Sequence, residues 1–303
     1  MALSTVSLYT WIMNLPCRVL TVFLRRKLGR YSGARVANYA PGIVQASFVS
    51  LVVLSLVLPP RSFAASSELE TVLKSSRQRI ETLDYRVAGR LTRIEADGKR
   101  TNYKFVGKAH WFPDGLRLLC EISGPNAEKT RLLFQMNASG HLTIEALFPG
   151  QKSPSTLPFE RWNEPLVGTD FSIEDMLENY LFWKNQELLA PEKYGARDCF
   201  VLKSKPGSQD RTYYDSATSW IDRGILFPVR VVKTVRGTGQ QKEFISYGLR
   251  QVSGLWSASQ VEAKTEGKPG SSMLVIEVGS PKANLGSKDL VLGTSTHQGE
   301  KAK

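Results

Sequence analysis

Apolar residues first recur at helical spacing just after residue 64. One face of this stretch is apolar and carries Leu69, Val72, Leu73 and Ile80, while the opposite face is polar. Ser67 followed three residues later by Glu70 matches a capping box, which marks the start of a helix. The pattern predicts an amphipathic helix that begins at Ser67 and packs its narrow apolar stripe on a sheet.

From Tyr85 onward the hydrophobic period changes from 3.6 to 2, which is typical of strands with one buried face. Asp97-Gly98 tolerates the positive φ values of a tight turn and predicts a hairpin. Residues in the later strands alternate clearly, because Leu118 and Cys120 share one face and Arg117 the other. The first series of strands is predicted at Tyr85–Ile94, Lys99–Ala109, Leu116–Ile122, Arg131–Met136 and His141–Phe148.

Helical spacing returns at Phe171–Trp183, where Ser172 and Asp175 match a second capping box. The pattern predicts a second helix with Ile173, Met176, Leu177 and Tyr180 on its apolar face. A second series of strands follows, predicted at Cys199–Ser204, Tyr213–Asp222, Phe227–Thr234, Lys242–Leu249, Leu255–Lys264 and Met273–Val278.

The order helix, meander, helix, meander predicts a mainly antiparallel β fold with α: about eleven strands in one large sheet that curls around its helices. The concave face of such a sheet either fills with side chains or leaves an apolar cavity. We expect one domain over residues 65–292. Residues 293–303 contain no large apolar side chain and are expected to form a mobile tail.

Residues 1–64 are expected to be a signal peptide or leader. They contain seven of the twelve excess positive charges and no carboxylate, and the apolar run Ile43–Leu58 follows the basic stretch. Ser62-Phe63-Ala64 predicts cleavage after Ala64 and therefore export. The alternative is an uncleaved membrane anchor, although sixteen apolar residues are fewer than the roughly 20 that span a bilayer.

Charge and composition exclude several classes of function. Without the leader the net charge falls from +12 to +5, and no basic run interleaves with aromatic residues, so a nucleic-acid partner is not expected. Three separated histidines follow the leader, His110, His141 and His297, and no zinc spacing or cofactor motif appears. Cys120 and Cys199 could pair or remain two buried thiols.

Motifs of known enzymes are also missing. No Gly-x-Ser-x-Gly occurs, and Gly237-Thr238-Gly239 leads into a strand instead of a helix, so it is predicted to be a hairpin turn. The pair Glu174-Asp175 is explained by helix capping and the helix dipole. We therefore expect a protein that is not an enzyme.

Aromatic and long aliphatic residues concentrate around the second predicted helix. They are Phe159, Trp162, Phe171, Met176, Leu177, Tyr180, Phe182 and Trp183. They either seal the helix onto the sheet or line the mouth of an apolar cavity, where flexible Met and Leu accommodate chains of no fixed shape.

The segment Gly168-Thr169-Asp170-Phe171-Ser172-x-Glu174-Asp175-Met176 resembles the GTDFSxED block of the LolA-like outer-membrane lipoprotein-sorting family. The resemblance covers roughly residues 69–292 and is densest over 168–265. Later features keep the family's order: Ala196–Leu202, Trp220-Ile221-Asp222, Phe227-Pro228-Val229-Arg230, Lys242, Ser253-Gly254-Leu255-Trp256 and Asn284.

This resemblance implies a periplasmic, incomplete β-barrel covered by helices, whose cavity holds the acyl chains of lipoproteins or lipids during transfer to the outer membrane. The first helix and residues 173–183 would form the lid. The implied partners are an inner-membrane donor protein and an outer-membrane acceptor protein, with the carrier itself a monomer. The chain is longer than a minimal LolA carrier and no cavity arginine aligns, which leaves the cargo open.

Six residues are the candidate ligand contacts for acyl chains: Leu118, Phe134, Met136, Phe171, Met176 and Val229. Two other classes of function stay open on the sequence. One is an envelope sensor or regulatory module of the same fold that reports to a membrane partner, which an uncleaved leader anchored in the inner membrane would favour. The other is a secreted hydrolase that uses His110 and His141.

Overall fold

The computed structural model describes residues 61–82 and 84–293. The predicted leader lies outside the described residues except for its last four positions, and the predicted tail lies outside them except for Gly293. Of the helices in these two ranges, none is both long and apolar enough to cross a lipid bilayer.

Thirteen antiparallel strands form a single sheet in the described part of the chain. They are β1 (Asp84–Ile94), β2 (Arg100–Phe112), β3 (Gly115–Ser123), β4 (Lys129–Met136), β5 (Leu142–Leu147), β6 (Ser155–Thr156), β7 (Asn185–Tyr194), β8 (Arg197–Lys205), β9 (Tyr214–Asp222), β10 (Pro228–Val235), β11 (Gln241–Val252), β12 (Leu255–Thr265) and β13 (Ser271–Pro281). The spatial order is β6-β5-β4-β3-β2-β1-β13-β12-β11-β10-β9-β8-β7. Because β6 and β7 are edges and do not pair, the barrel is open, and the predicted fold class is confirmed.

The first and last strands pair at the middle of the sheet. β1 and β13 run antiparallel from Tyr85↔Pro281 to Ile94↔Ser271, with a register shift at Ala88/Gly89. A Cβ atom at Gly89 would lie 1.9 Å from the carbonyl oxygen of Val275. Only glycine permits this close approach of the two strands, so Gly89 helps to fix the junction between the two meanders.

One face of the sheet, here called the inner face, carries the hydrophobic core. Leu116, Leu118, Cys120 and Ile122 alternate inward along β3, and all are buried. Their neighbours on β4 are equally buried, and Leu118 lies directly opposite Phe134. The period of 2 predicted for these strands is therefore confirmed, because one side of each strand is apolar and enclosed.

Helix α1 (Arg61–Glu81) covers part of the inner face. Its buried residues Val72, Leu73 and Ile80 belong to the core, as the spacing predicts. The predicted cap at Ser67 is wrong, because the helix begins six residues earlier and the Ser67 carbonyl accepts a hydrogen bond from Thr71 Oγ1 inside it. The alanines before Ser67 favour helix and extend it in the N-terminal direction.

The second predicted helix is wrong in kind. Residues 157–183, here called the covering segment, contain short 3₁₀ turns, including Glu174–Met176 and Asn179–Phe182. Leu177 between these two turns is extended, with φ −123° and ψ 146°. The helical spacing misled because the segment is enclosed on several sides, so that the polar residues Glu174 and Asn179 are buried along with the apolar ones.

Two strands were not predicted, β6 and β7. Most residues of the edge strand β7 are exposed, and it contains Pro191 and a register shift between Leu189 and Glu192. An edge strand with little apolar alternation gives no period-2 signal. The two cysteines, Cys120 on β3 and Cys199 on β8, are buried free thiols and form no disulfide.

Candidate functional site

The six candidate ligand residues come to the same interior as packed side chains. Leu118, Phe134, Met136 and Phe171 belong to one core cluster, and Met176 packs against it half-buried. Val229 is buried near the start of β10. A cavity of about 160 Å³ touches Met136, but polar residues such as Asp114, Arg117 and His141 also line it. Contact of the six residues with a ligand stays a prediction.

Three carboxylates of the covering segment, Asp170, Glu174 and Asp175, are buried as well. Sequence reasoning assigned the last two to a helix terminus. Of that interpretation only the local contact holds: the Ser172 backbone N–H donates to Asp175 Oδ2 at 2.8 Å. The carboxylates instead join the covering segment to distant strands.

Asp175 lies between two lysines, and the three residues are here called the buried ion cluster. Lys233 Nζ donates to Asp175 Oδ1 at 2.9 Å, Lys242 Nζ donates to Oδ2, and the Tyr214 hydroxyl donates to Oδ1 at 2.6 Å. The side chains of Asp175, Lys233 and Lys242 are only 0%, 4% and 7% exposed. The cluster is thus a hydrogen-bonded ion site sealed from solvent.

The register of two strands explains why this site needs a carboxylate. Lys233 on β10 lies directly opposite Lys242 on β11, and both ammonium groups point to the inner face. Like charges opposite one another destabilise a sheet, and an unpaired buried charge costs far more. Asp175 offsets both, so the covering segment supplies a counter-ion that the sheet itself lacks.

Burial and charge shift the pKa values of the cluster in opposite directions. Burial by itself would raise the pKa of the Asp175 carboxyl, but Lys233 and Lys242 hold it well below its usual range. Burial lowers the pKa of the Lys242 ammonium despite Asp175. Burial and the adjacent Asp175 charge raise the pKa of the Tyr214 phenol. Asp175 therefore stays ionised and accepts hydrogen bonds at neutral pH.

The other two carboxylates make similar contacts. Arg93 Nη1 on β1 lies 2.5 Å from Asp170 Oδ2, and Ser272 Oγ donates to the same oxygen at 2.7 Å. Glu174 accepts hydrogen bonds from Thr212 Oγ1 and, at 3.0 Å, from the Tyr213 backbone N–H. Burial raises the pKa of the Glu174 carboxyl.

These contacts hold the covering segment on the sheet and leave no solvent-facing nucleophile or base in the cluster. One sequence signal could have indicated them: Lys233 occupies an inward position between Val231 and Val235 on a strand that otherwise alternates. Within residues 61–82 and 84–293, no group of His, Cys, Asp and Glu could hold a metal ion.

The depressed pKa of Asp175 predicts that acid destabilises the protein. A carboxyl with a lowered folded-state pKa stabilises the fold above its ordinary pKa of 3.8, and this contribution is lost as the pH falls below about 4. Urea denaturation between pH 5 and 2.5 should show a steeper loss in wild type than in Asp175→Asn, by up to about 1.4 kcal/mol per pH unit. Equal slopes would contradict the prediction, since Glu174, whose pKa is raised, acts in the opposite sense in both proteins.

A family model described as an uncharacterized protein matches residues 124–289, which is more than half of the chain. The chain belongs to this family. Among curated proteins no match was found.

Solved structures show that the fold is LolA-like, as the sequence resemblance indicated. A domain named for outer membrane lipoprotein sorting from Vibrio parahaemolyticus is 18% identical with a TM-score of 0.65, covering 74% of this chain and 96% of that chain. A DUF1329 family protein from Desulfovibrio piger is 14% identical with a TM-score of 0.65, covering 74% and 97%. A LolA superfamily protein from Nitrosomonas europaea is 14% identical with a TM-score of 0.60, again covering 74% and 97%.

Proposed function

We propose that this LolA-like protein is a periplasmic carrier that binds the acyl chains of lipoproteins or lipids against the inner face of its sheet. One observation carries the proposal: the apolar inner face is covered by two separate pieces, α1 and the covering segment, which contact it mainly through side chains. Displacing them would expose apolar surface without breaking the strand pairing. Such surface binds acyl chains strongly, at about 0.8 kcal/mol per buried CH₂ group.

The six candidate contacts have distinct parts in this proposal. Leu118, Phe134 and Met136 belong to the sheet and would form the wall on which an acyl chain lies, as would Val229. Phe171 and Met176 belong to the covering segment and would move with it. The protein would act without catalysis, because its task is binding and release.

Transfer requires two partners and export. The relative from Vibrio parahaemolyticus is named for outer membrane lipoprotein sorting. By analogy we assign to this chain an inner-membrane donor, an outer-membrane acceptor and a monomeric state in the periplasm, reached through cleavage of the leader after Ala64.

Native mass spectrometry of protein purified from the periplasm tests the proposal. We expect a co-purifying lipid or lipoprotein fragment, and a lower melting temperature after its removal, because a ligand that binds only the folded state stabilises it. The delipidated protein should then bind a fluorescent polyunsaturated fatty acid and release it when unlabelled palmitate is added. A ligand-free protein that binds no fatty acid would overturn the proposal.

A further inference from the structure

Several buried polar atoms have no hydrogen-bond partner where α1 and the covering segment meet β9. They are Ser76 Oγ, Arg79 Nε, Tyr180 Oη and Ser219 Oγ. The residues Ser76, Tyr180 and Ser219 are at most 2% exposed. Almost all buried polar groups in folded proteins are hydrogen-bonded, because leaving one unpaired is costly. A concentration of unpaired groups in one part of the interior therefore indicates a missing polar partner.

Tyr180 and Ser219 lie side by side in this interior. Ser219 lies on the inner face of β9 between the fully buried Ala217 and Ile221. Burial raises the pKa of the Tyr180 phenol, while Arg79 and Ser219 act in the opposite direction, which places both near its oxygen. The two hydroxyl groups nevertheless do not meet hydrogen-bond geometry with each other.

Helix α1 brings the other two groups. Ser76 and Arg79 are three residues apart and therefore share a face of the helix. Arg79 Nη2 pairs with Glu178, and its guanidinium lies 4.9 Å from the centre of the Phe227 ring. Its Nε–H remains as an additional donor, and its charge is already neutralised by Glu178.

The chemistry of the unpaired groups selects their partner. All four can donate a hydrogen bond, and the surroundings are apolar apart from the neutralised Arg79–Glu178 pair. A free carboxylate would bring a second negative charge beside Glu178, whereas a neutral carbonyl oxygen accepts from hydroxyl groups without that penalty. We infer that Tyr180 and Ser219, assisted by Ser76 and Arg79, form a polar subsite that binds the carbonyl oxygen of a fatty acyl ester. The inference rests on the proposed function, since the ester would arrive with its acyl chain.

Matched ester and ether lipids test this subsite. Dipalmitoyl phosphatidylglycerol carries two ester carbonyl groups, and its dihexadecyl ether analogue has chains of the same length without them. Competition against a bound fluorescent fatty acid should give an affinity about tenfold higher for the ester lipid with wild-type protein. The Tyr180→Phe/Ser219→Ala double variant should lose this preference by weakening ester binding alone.

A control variant and a stability measurement separate the subsite from a structural role. Ser216→Ala makes the same change on β9, but its hydroxyl bonds to Thr234 Oγ1 on the opposite face, so the ester preference should persist. Removing unpartnered hydroxyl groups should leave the melting temperature of the double variant within a few degrees of wild type. If the double variant fails to fold, the single Ser219→Ala variant must show at least a partial loss of the preference.

The outcomes distinguish the inference from the function it deepens. Equal affinity for ester and ether lipids overturns the subsite and leaves acyl-chain binding standing, as does an ester preference that survives in the variants. Failure of both lipids to bind overturns both proposals. Repeating the comparison with a diacylglyceryl lipopeptide and its ether analogue distinguishes the sources, because the larger ester preference identifies whether a lipoprotein or a phospholipid supplies the carbonyl group.

Discussion

Replacing Asp175 by asparagine should lower the free energy of unfolding by about 3–5 kcal/mol, because it breaks a buried ion site by removing one partner. Lys233 and Lys242 would then face each other, at 4% and 7% exposure, without a counter-ion. Asparagine keeps the shape of the side chain, so the loss reports the charge and not a cavity. Urea denaturation at pH 7 measures it.

Asp215→Asn is the matched control for this prediction. Asp215 pairs with Arg236 at 3.2 Å, but both side chains are about half exposed, and such pairs contribute at most about 1 kcal/mol. A triple variant in which Asp175 becomes leucine and both lysines become methionine should recover much of the stability lost by Asp175→Asn. The prediction fails if Asp175→Asn is no more destabilising than the control.

Replacing Phe171 by alanine should have two large effects. The ring is buried and lies 5.8 Å from that of Phe244, so its removal should lower the free energy of unfolding by about 3–5 kcal/mol. If the covering segment must leave before an acyl chain enters, the same change should raise the affinity for a fluorescent fatty acid at least tenfold. The open state is then more populated, and apparent affinity scales with that population.

Phe112→Ala provides the comparison for Phe171. Phe112 ends β2 and stacks with Arg117 away from the covering segment, so the fatty-acid affinity should stay at the wild-type value. A lower affinity in Phe171→Ala would contradict displacement of the segment and favour direct contact of Phe171 with the acyl chain.

The strands that sequence predicts well are those with two unlike faces. On β3, Leu118 points into the core while Arg117 points outward beside Asp114, and the alternation is visible in the sequence. On β7, Leu189 is exposed like its polar neighbours, so no alternation marks the strand. Predictability follows the difference in burial between faces more than strand length.

The covering segment shows why the candidate site could be predicted only in part. Its apolar residues were recognised, since Phe171 and Met176 reach the expected interior. Its polar contacts depend on tertiary register: Asp175 bonds to Lys233 and Lys242, which lie 58 and 67 residues further along the chain. No local pattern contains that information, and apolar spacing alone is ambiguous when a segment is enclosed on several sides.

The pairing of β1 with β13 has a consequence for the order in which the molecule is made. Residues about 190 positions apart, such as Tyr85 and Pro281, must meet before either meander gains its neighbour at the centre of the sheet. Long-range pairing of this kind folds slowly, and an unpaired strand edge invites aggregation until it forms. A chain emerging from the ribosome or a translocon thus carries two half-sheets with exposed β1 until its last strand is released. Completion of the sheet depends on the final twentieth of the chain more than on the first.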